Sequence, residues 1–155
     1  MLRKNLQSRM RNTGGHFAIV ASKYNGEYVD AMVEAAQREL ERAGSAGVKI
    51  VRVPGAFEIP VVAANLAARK WKLSGIICLG VILRGETDHA QQIGNAVSSA
   101  LMQIQLQHGI PVIHEVLLLE NREQAKVRCL SKDHNRGMEA AQTALEMDRV
   151  MRSLR

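Results

Sequence analysis

Aromatic side chains are almost missing from this sequence: one Trp, two Tyr and two Phe make up 3% of its 155 residues. The core must therefore be aliphatic, and a 46% hydrophobic content is enough for one such core in one domain. Cysteine is equally scarce. Cys78 and Cys129 are too few for a disulfide framework and form no CxxC pair, which points to a reducing compartment. The longest apolar run, Ile76–Leu83, is far too short for a bilayer. The N-terminus lacks an apolar signal core, so the expected location is cytoplasmic and no membrane partner is expected. There is no GxGxxG loop, no Walker loop and no His/Cys cluster at metal spacing; His108, His114 and His134 are scattered.

Charge is present but unevenly spread. The formal net charge is +6, with Arg3, Lys4, Arg9 and Arg11 at one end and Arg149, Arg152 and Arg155 at the other. No aromatic interleaving or nucleic-acid motif accompanies these residues, so they read as solvated tails rather than a nucleic-acid surface. Residues 1–15 read as a basic arm, and residues 16–155 as a single domain.

Beyond the arm the pattern alternates strand with helix. His16–Ser22 is a short apolar run, and Glu27–Ala43 sets Val29, Met32, Val33, Ala36 and Leu40 on one helical face. Val48–Val53 alternates as a strand and ends at Pro54-Gly55; Phe57–Trp71 reads as a helix with Pro60 in its first turn. Gly75–Leu83 is almost continuously apolar, as a strand covered on both faces would be. A long helix is expected over Thr87–His108, a fourth strand over Ile110–Leu119, and helices over Asn121–Cys129 and Arg136–Leu154. Four strands joined by helical crossovers imply an α/β fold of three layers: a four-stranded parallel sheet with helices on both faces.

In such a sheet, ligands bind beyond the carboxyl ends of the strands. The exits are Lys23-Tyr24-Asn25-Gly26, Pro54 to Pro60, and Arg84-Gly85-Glu86-Thr87-Asp88-His89. A helix starting at Thr87 after Gly85 would point backbone N–H groups at a bound phosphate, and His89 in its first turn would be placed to shuttle protons. The plainer reading is that Thr87 caps the helix and His89 is an exposed polar residue. Glu58 is equally accounted for by the helix dipole, Tyr24 as a surface tyrosine, and Arg128 as a helix-surface charge.

Five blocks carry a resemblance. They are Val53-Pro54-Gly55-Ala56-Phe57-Glu58-Ile59-Pro60; Arg84-Gly85-Glu86-Thr87 with His89; Gly109-Ile110-Pro111-Val112-Ile113; Glu123-Gln124-Ala125; and Asn135 and Gly137 before Glu139-Ala140-Ala141. In this order and spacing, from about His16 to Met147, the sequence resembles the lumazine synthase family. The resemblance implies a flavodoxin-like sheet of the lumazine synthase type. It also implies condensation of 5-amino-6-ribitylaminouracil with 3,4-dihydroxy-2-butanone 4-phosphate, without cofactor, giving 6,7-dimethyl-8-ribityllumazine, phosphate and water in riboflavin biosynthesis.

By the same resemblance, Tyr24 stacks on the pyrimidine, Ala56, Phe57 and Glu58 line the ribityl side, and Val81, Ile82 and Leu83 line the ring. Glu86 and Thr87 offer N–H groups to phosphate, Arg128 pairs its charge in an adjacent subunit's pocket, and His89 is the proton shuttle. A homo-oligomer with shared sites is implied, a pentamer or a sixty-subunit shell, with riboflavin synthase as a further partner the family allows. Ala90, Gln91, His114, Glu115, Leu118 and Leu119 depart from the family pattern; His114 stands where an aromatic usually meets the pyrimidine. A flavin- or lumazine-binding or shell-forming homologue with reduced or lost turnover is the other reading.

Overall fold

A computed structural model describes residues 14–69, 73–86 and 88–155. Most of the expected basic arm, Trp71 at the end of the expected second helix, and Thr87 lie outside the described residues. The elements run β1 (His16–Ser22), α1 (Gly26–Arg42), β2 (Gly47–Val53), a 3-10 turn (Ala56–Glu58), α2 (Ile59–Ala67) and β3 (Gly75–Leu83). A second 3-10 turn (Arg84–Glu86), α3 (Ala90–His108), β4 (Val112–Leu119), α4 (Arg122–Cys129) and α5 (Arg136–Ser153) follow.

The four strands are parallel in the order β2-β1-β3-β4, so β1 and β3 are central. Every residue of β3 is buried, as its unbroken apolar run requires of a strand covered on both faces. One face, with Phe17, Ile19, Ala21, Ile77, Leu79 and Val81, packs under α1, α4 and α5. The other, with Ala18, Val20, Ile76, Cys78, Ile82 and Val116, packs under α2 and α3. Aliphatic side chains fill both halves, with Phe17 and Tyr28 the only aromatics among the buried residues described.

Most boundaries fall within one residue of expectation; α2 ends at Ala67, short of the expected Trp71, and three starts are displaced by two or three residues. The second helix begins at Ile59, not Phe57: the chain enters it through a 3-10 turn, and Pro60 sits in the first turn, where its missing N–H is not needed. β4 begins at Val112 rather than Ile110, because Pro111 accepts a bond from Ile76 N–H (2.9 Å) yet cannot donate one. The third helix starts at Ala90, not Thr87, with His89 in the cap position.

α1 and α5 meet at very close range. A Cβ on Gly137 would overlap the carbonyl oxygen and Cα of Met32, so only glycine lets the two backbones meet. Asn135 holds the same junction. Its Oδ1 caps α5 by accepting from the N–H groups of Gly137 (2.7 Å) and Met138 (3.3 Å). Its Nδ2 donates to the carbonyls of Cys129 (2.6 Å) and Ala31 (3.4 Å). Gly137→Ala should therefore lower unfolding free energy by about 3 kcal/mol or more, read as a lower urea midpoint. Gly26→Ala, whose Cβ would meet only Asp30 Oδ2 at 3.8 Å, is the control. Equal midpoints for the two variants would mean the helices can part without cost.

Candidate active site

A cavity of about 460 Å³ opens where β1, β2 and β3 end. Backbone bonds stitch these ends together: Lys23 N–H donates to Val53 O (2.7 Å) and Tyr24 N–H to Pro54 O (3.0 Å). Asn25 has φ 56°, a left-handed conformation that asparagine tolerates better than most residues, and its Nδ2 donates to Val81 O (2.8 Å). The exit of β1 is thus tied to β2 through the main chain and to β3 through one side chain.

Tyr24 and Phe57 stand at the rim, 72% and 63% exposed. Val81, Ile82 and Leu83 form an apolar wall, and Ala56, Glu58 and Glu86 also line the cavity. Glu58 lines the cavity, and its Oε1 accepts from Gly55 N–H (3.1 Å), closing the 3-10 turn. Glu86 reaches the cavity while accepting from Arg122 Nη2 at 2.8 Å. Exposed aromatics over an aliphatic wall, with carboxylates at two edges, suit a flat ring carrying polar substituents.

Other candidates fall elsewhere. His89 is outside the cavity lining, at the cap of α3, with Nδ1 3.1 Å from Gln92 Oε1. Because α3 begins at Ala90, the helix amides expected to face phosphate directly behind Gly85 are displaced along the chain, and Gly85 itself lies within the Arg84–Glu86 turn. Arg128 lines a separate depression of about 580 Å³ between α4 and α5, with Glu123, Arg136 and Glu139. Four lining residues were not singled out from sequence: Asn25, Pro54, Gly55 and Ile93. The asparagine ahead of Gly26 is a signal for a left-handed turn, whereas Ile93 reads only as part of a buried helical stripe.

His114 and Glu115 point to opposite faces of β4. Val116 N–H donates to His114 Nδ1 (3.1 Å), so the ring proton is assigned to Nε2, which lies 2.7 Å from Ser98 Oγ on α3. Desolvation lowers the His114 pKa. Glu115 turns toward α5, where burial pushes its carboxyl up to about 7 despite the opposing charge of Arg136, with Glu139 adding to the rise. A raised acid favours the folded state fully below its unfolded pKa near 4.5 and loses that contribution as pH rises through about 7. Glu115→Gln should therefore become progressively more stable relative to the parent as pH is raised from 4.5 to 7.5. Urea unfolding of both proteins across that range checks this, and a constant difference would contradict it.

Among the described residues, no three His, Cys, Asp or Glu side chains gather as a metal site, and no helix is long and apolar enough to cross a membrane. A family model described as 6,7-dimethyl-8-ribityllumazine synthase matches residues 14–152. Proteins named 6,7-dimethyl-8-ribityllumazine synthase are among its relatives. That of Xanthomonas euvesicatoria pv. vesicatoria (strain 85-10) is 38% identical over 147 residues, covering 94% of this chain and 95% of the relative. That of Xanthomonas campestris pv. campestris (strain B100) is 39% identical over the same shares. That of Stenotrophomonas maltophilia (strain R551-3) is 39% identical over 140 residues, 89% of this chain and 90% of the relative.

Proposed function

The chain belongs to the 6,7-dimethyl-8-ribityllumazine synthase family, and from this we infer that the cavity at the strand ends is where its two substrates are joined. The protein is a transferase of riboflavin biosynthesis. It condenses 5-amino-6-ribitylaminouracil with 3,4-dihydroxy-2-butanone 4-phosphate to 6,7-dimethyl-8-ribityllumazine, phosphate and water. The observation that carries the site assignment is that residues from three separate strand exits, Tyr24, Ala56, Phe57, Glu58, Val81, Ile82, Leu83 and Glu86, line one cavity.

The chemistry asks for little beyond positioning and proton transfer. The pyrimidine amine attacks the ketone carbon, and the carbinolamine loses water to an imine. Expulsion of phosphate gives an enol that returns to a ketone, and the second amine closes the ring with loss of water. Tyr24 stacks on the pyrimidine while Phe57 and Glu58 hold the ribityl chain; binding two reactants together supplies much of the rate. Glu86 and Thr87 give N–H groups to the phosphate, which leaves more readily when its charge is already met. His89 moves protons to and from the reacting oxygens and nitrogens.

Arg128, which lines a separate depression, pairs with the phosphate of an adjacent subunit's pocket, and His114 takes the place of the aromatic that meets the pyrimidine. The assembly is a homo-oligomer, at least a cyclic pentamer. A sixty-subunit shell is compatible with the short connection between α4 and α5. It acts in the cytoplasm, with riboflavin synthase as a partner at the next step.

Mixing the two substrates and following lumazine absorbance together with phosphate release tests the reading. A protein that binds lumazine but releases no phosphate would instead be a binding homologue, the outcome that the departures at Ala90, Gln91 and His114 would favour. His89→Ala should lower turnover by about one to two orders of magnitude with assembly intact, because positioning survives. Unchanged turnover would remove His89 from the mechanism. Arg128→Gln should raise KM for the butanone phosphate by about tenfold or more with little change for the pyrimidine. Equal changes for both substrates would separate Arg128 from the phosphate.

A further inference from the structure

β3 and β4 pair with one fixed offset: Ile76 faces Val112, Gly80 faces Val116 and Leu83 faces Leu119, each 36 residues apart. Hydrogen-bonded pairing ends there, but the offset does not. Arg84 Nε donates to Glu120 Oε1 at 2.8 Å, and Arg122 Nη2 donates to Glu86 Oε1 at 2.8 Å, and both pairs are again 36 residues apart. Two crossed ion pairs thus extend the register of the sheet by three residues beyond its last ladder rung.

The order of charges makes that extension selective. On one chain segment Arg84 precedes Glu86; on the other Glu120 precedes Arg122. A slip of two residues in either direction would set Arg84 against Arg122 or Glu86 against Glu120, replacing attraction with repulsion. Arg84 also reaches forward. Its Nη2 donates to Gln91 Oε1 at 2.9 Å in the first turn of α3, and Gln91 Nε2 donates to Asn95 Oδ1 at 2.9 Å. One guanidinium therefore joins the end of β3, the end of β4 and the start of α3, closing at its base the loop that carries Glu86 and His89. The far side is braced as well: Glu120 N–H donates to Gln124 Oε1 (2.9 Å), and Gln124 N–H to the Asn121 cap (2.9 Å).

We propose that Arg84, Glu120 and Arg122 are positioning residues, their crossed ion pairs carrying the β3–β4 register into the active-site turn and so fixing where Glu86 and His89 stand. The side chains are about half exposed, so the pairs add little to global stability. Their effect is on the local geometry of a short loop. The link to catalysis rests on the function proposed above; the mechanical role does not.

The test is a charge swap on the assembled protein: Arg84→Glu, Glu120→Arg and the double variant. Neither residue lines the cavity. Two readouts are needed, hydrogen exchange of the backbone amides of residues 84–92 and KM for each substrate. Each single reversal should speed exchange there by about tenfold and raise KM for the butanone phosphate by about three- to tenfold, with KM for the pyrimidine within about twofold. The double variant, with attraction restored, should return both to within about twofold of the parent. Exchange and KM unchanged in the singles, a double variant no better than the product of the singles, or equal shifts for both substrates would each overturn the proposal. Where a reversal prevents folding, Glu120→Gln serves in its place and should give the same effects at smaller size. A parent that makes no lumazine would overturn the function, while the exchange measurements would still decide the positioning role.

Discussion

The structure depends on one constraint: β3 must be paired along both edges and covered on both faces at once. Its residues, from Gly75 to Leu83, leave none exposed. That forces two helical layers, forces β1 and β4 to flank it, and sends its carboxyl end out between the exits of its neighbours. The cavity is what remains at the rim once those demands are met. Val81, Ile82 and Leu83, the last three residues of the strand, form its wall, so the buried central strand runs directly into the lining of the cavity. A wall packed into the core suits a reaction driven by positioning.

Much of this was legible in the sequence, because the signals concerned were local. β3 could be bounded to the residue, since an apolar run between Gly75 and Arg84 has no other reading, and strand–helix alternation gave the layers and the parallel sheet. The head of α3 moved by three residues, and no local window shows what precedes it: a turn gripped by Glu120 and Arg122, far along the chain. β4 was shortened by a single missing donor at Pro111. Asn25 escaped notice as a site residue because its importance lies in a bond to a carbonyl on another strand. The alternation of β4 separates His114 from Glu115, but not what each faces, Ser98 for one and Arg136 with Glu139 for the other.

The β4 positions that depart from the pattern of the resemblance fall on both faces of the strand. His114 and Leu118 belong to the face of β4 that meets α3, and Leu118 packs where Gly94 leaves room on that helix. Glu115 and Leu119 belong to the opposite face, Glu115 turned toward Arg136 and Glu139 and Leu119 packed in the core beneath α1 and α5.

The junction of α1 with α5 bears on how the chain is made. Strand order β2-β1-β3-β4 lets the sheet grow as synthesis proceeds: β1 and β2 pair first, β3 adds to the free edge of β1, and β4 adds to β3. The helices do not close in that order. α1 emerges early, yet the surface of it that faces Gly137 waits for the last helix of the chain, and until then Met32 and the sheet face beneath it lack their final cover. A nascent chain released or stalled before about residue 137 would lack the α5 share of that cover and leave part of one apolar face open to water, the kind of species on which chaperones act.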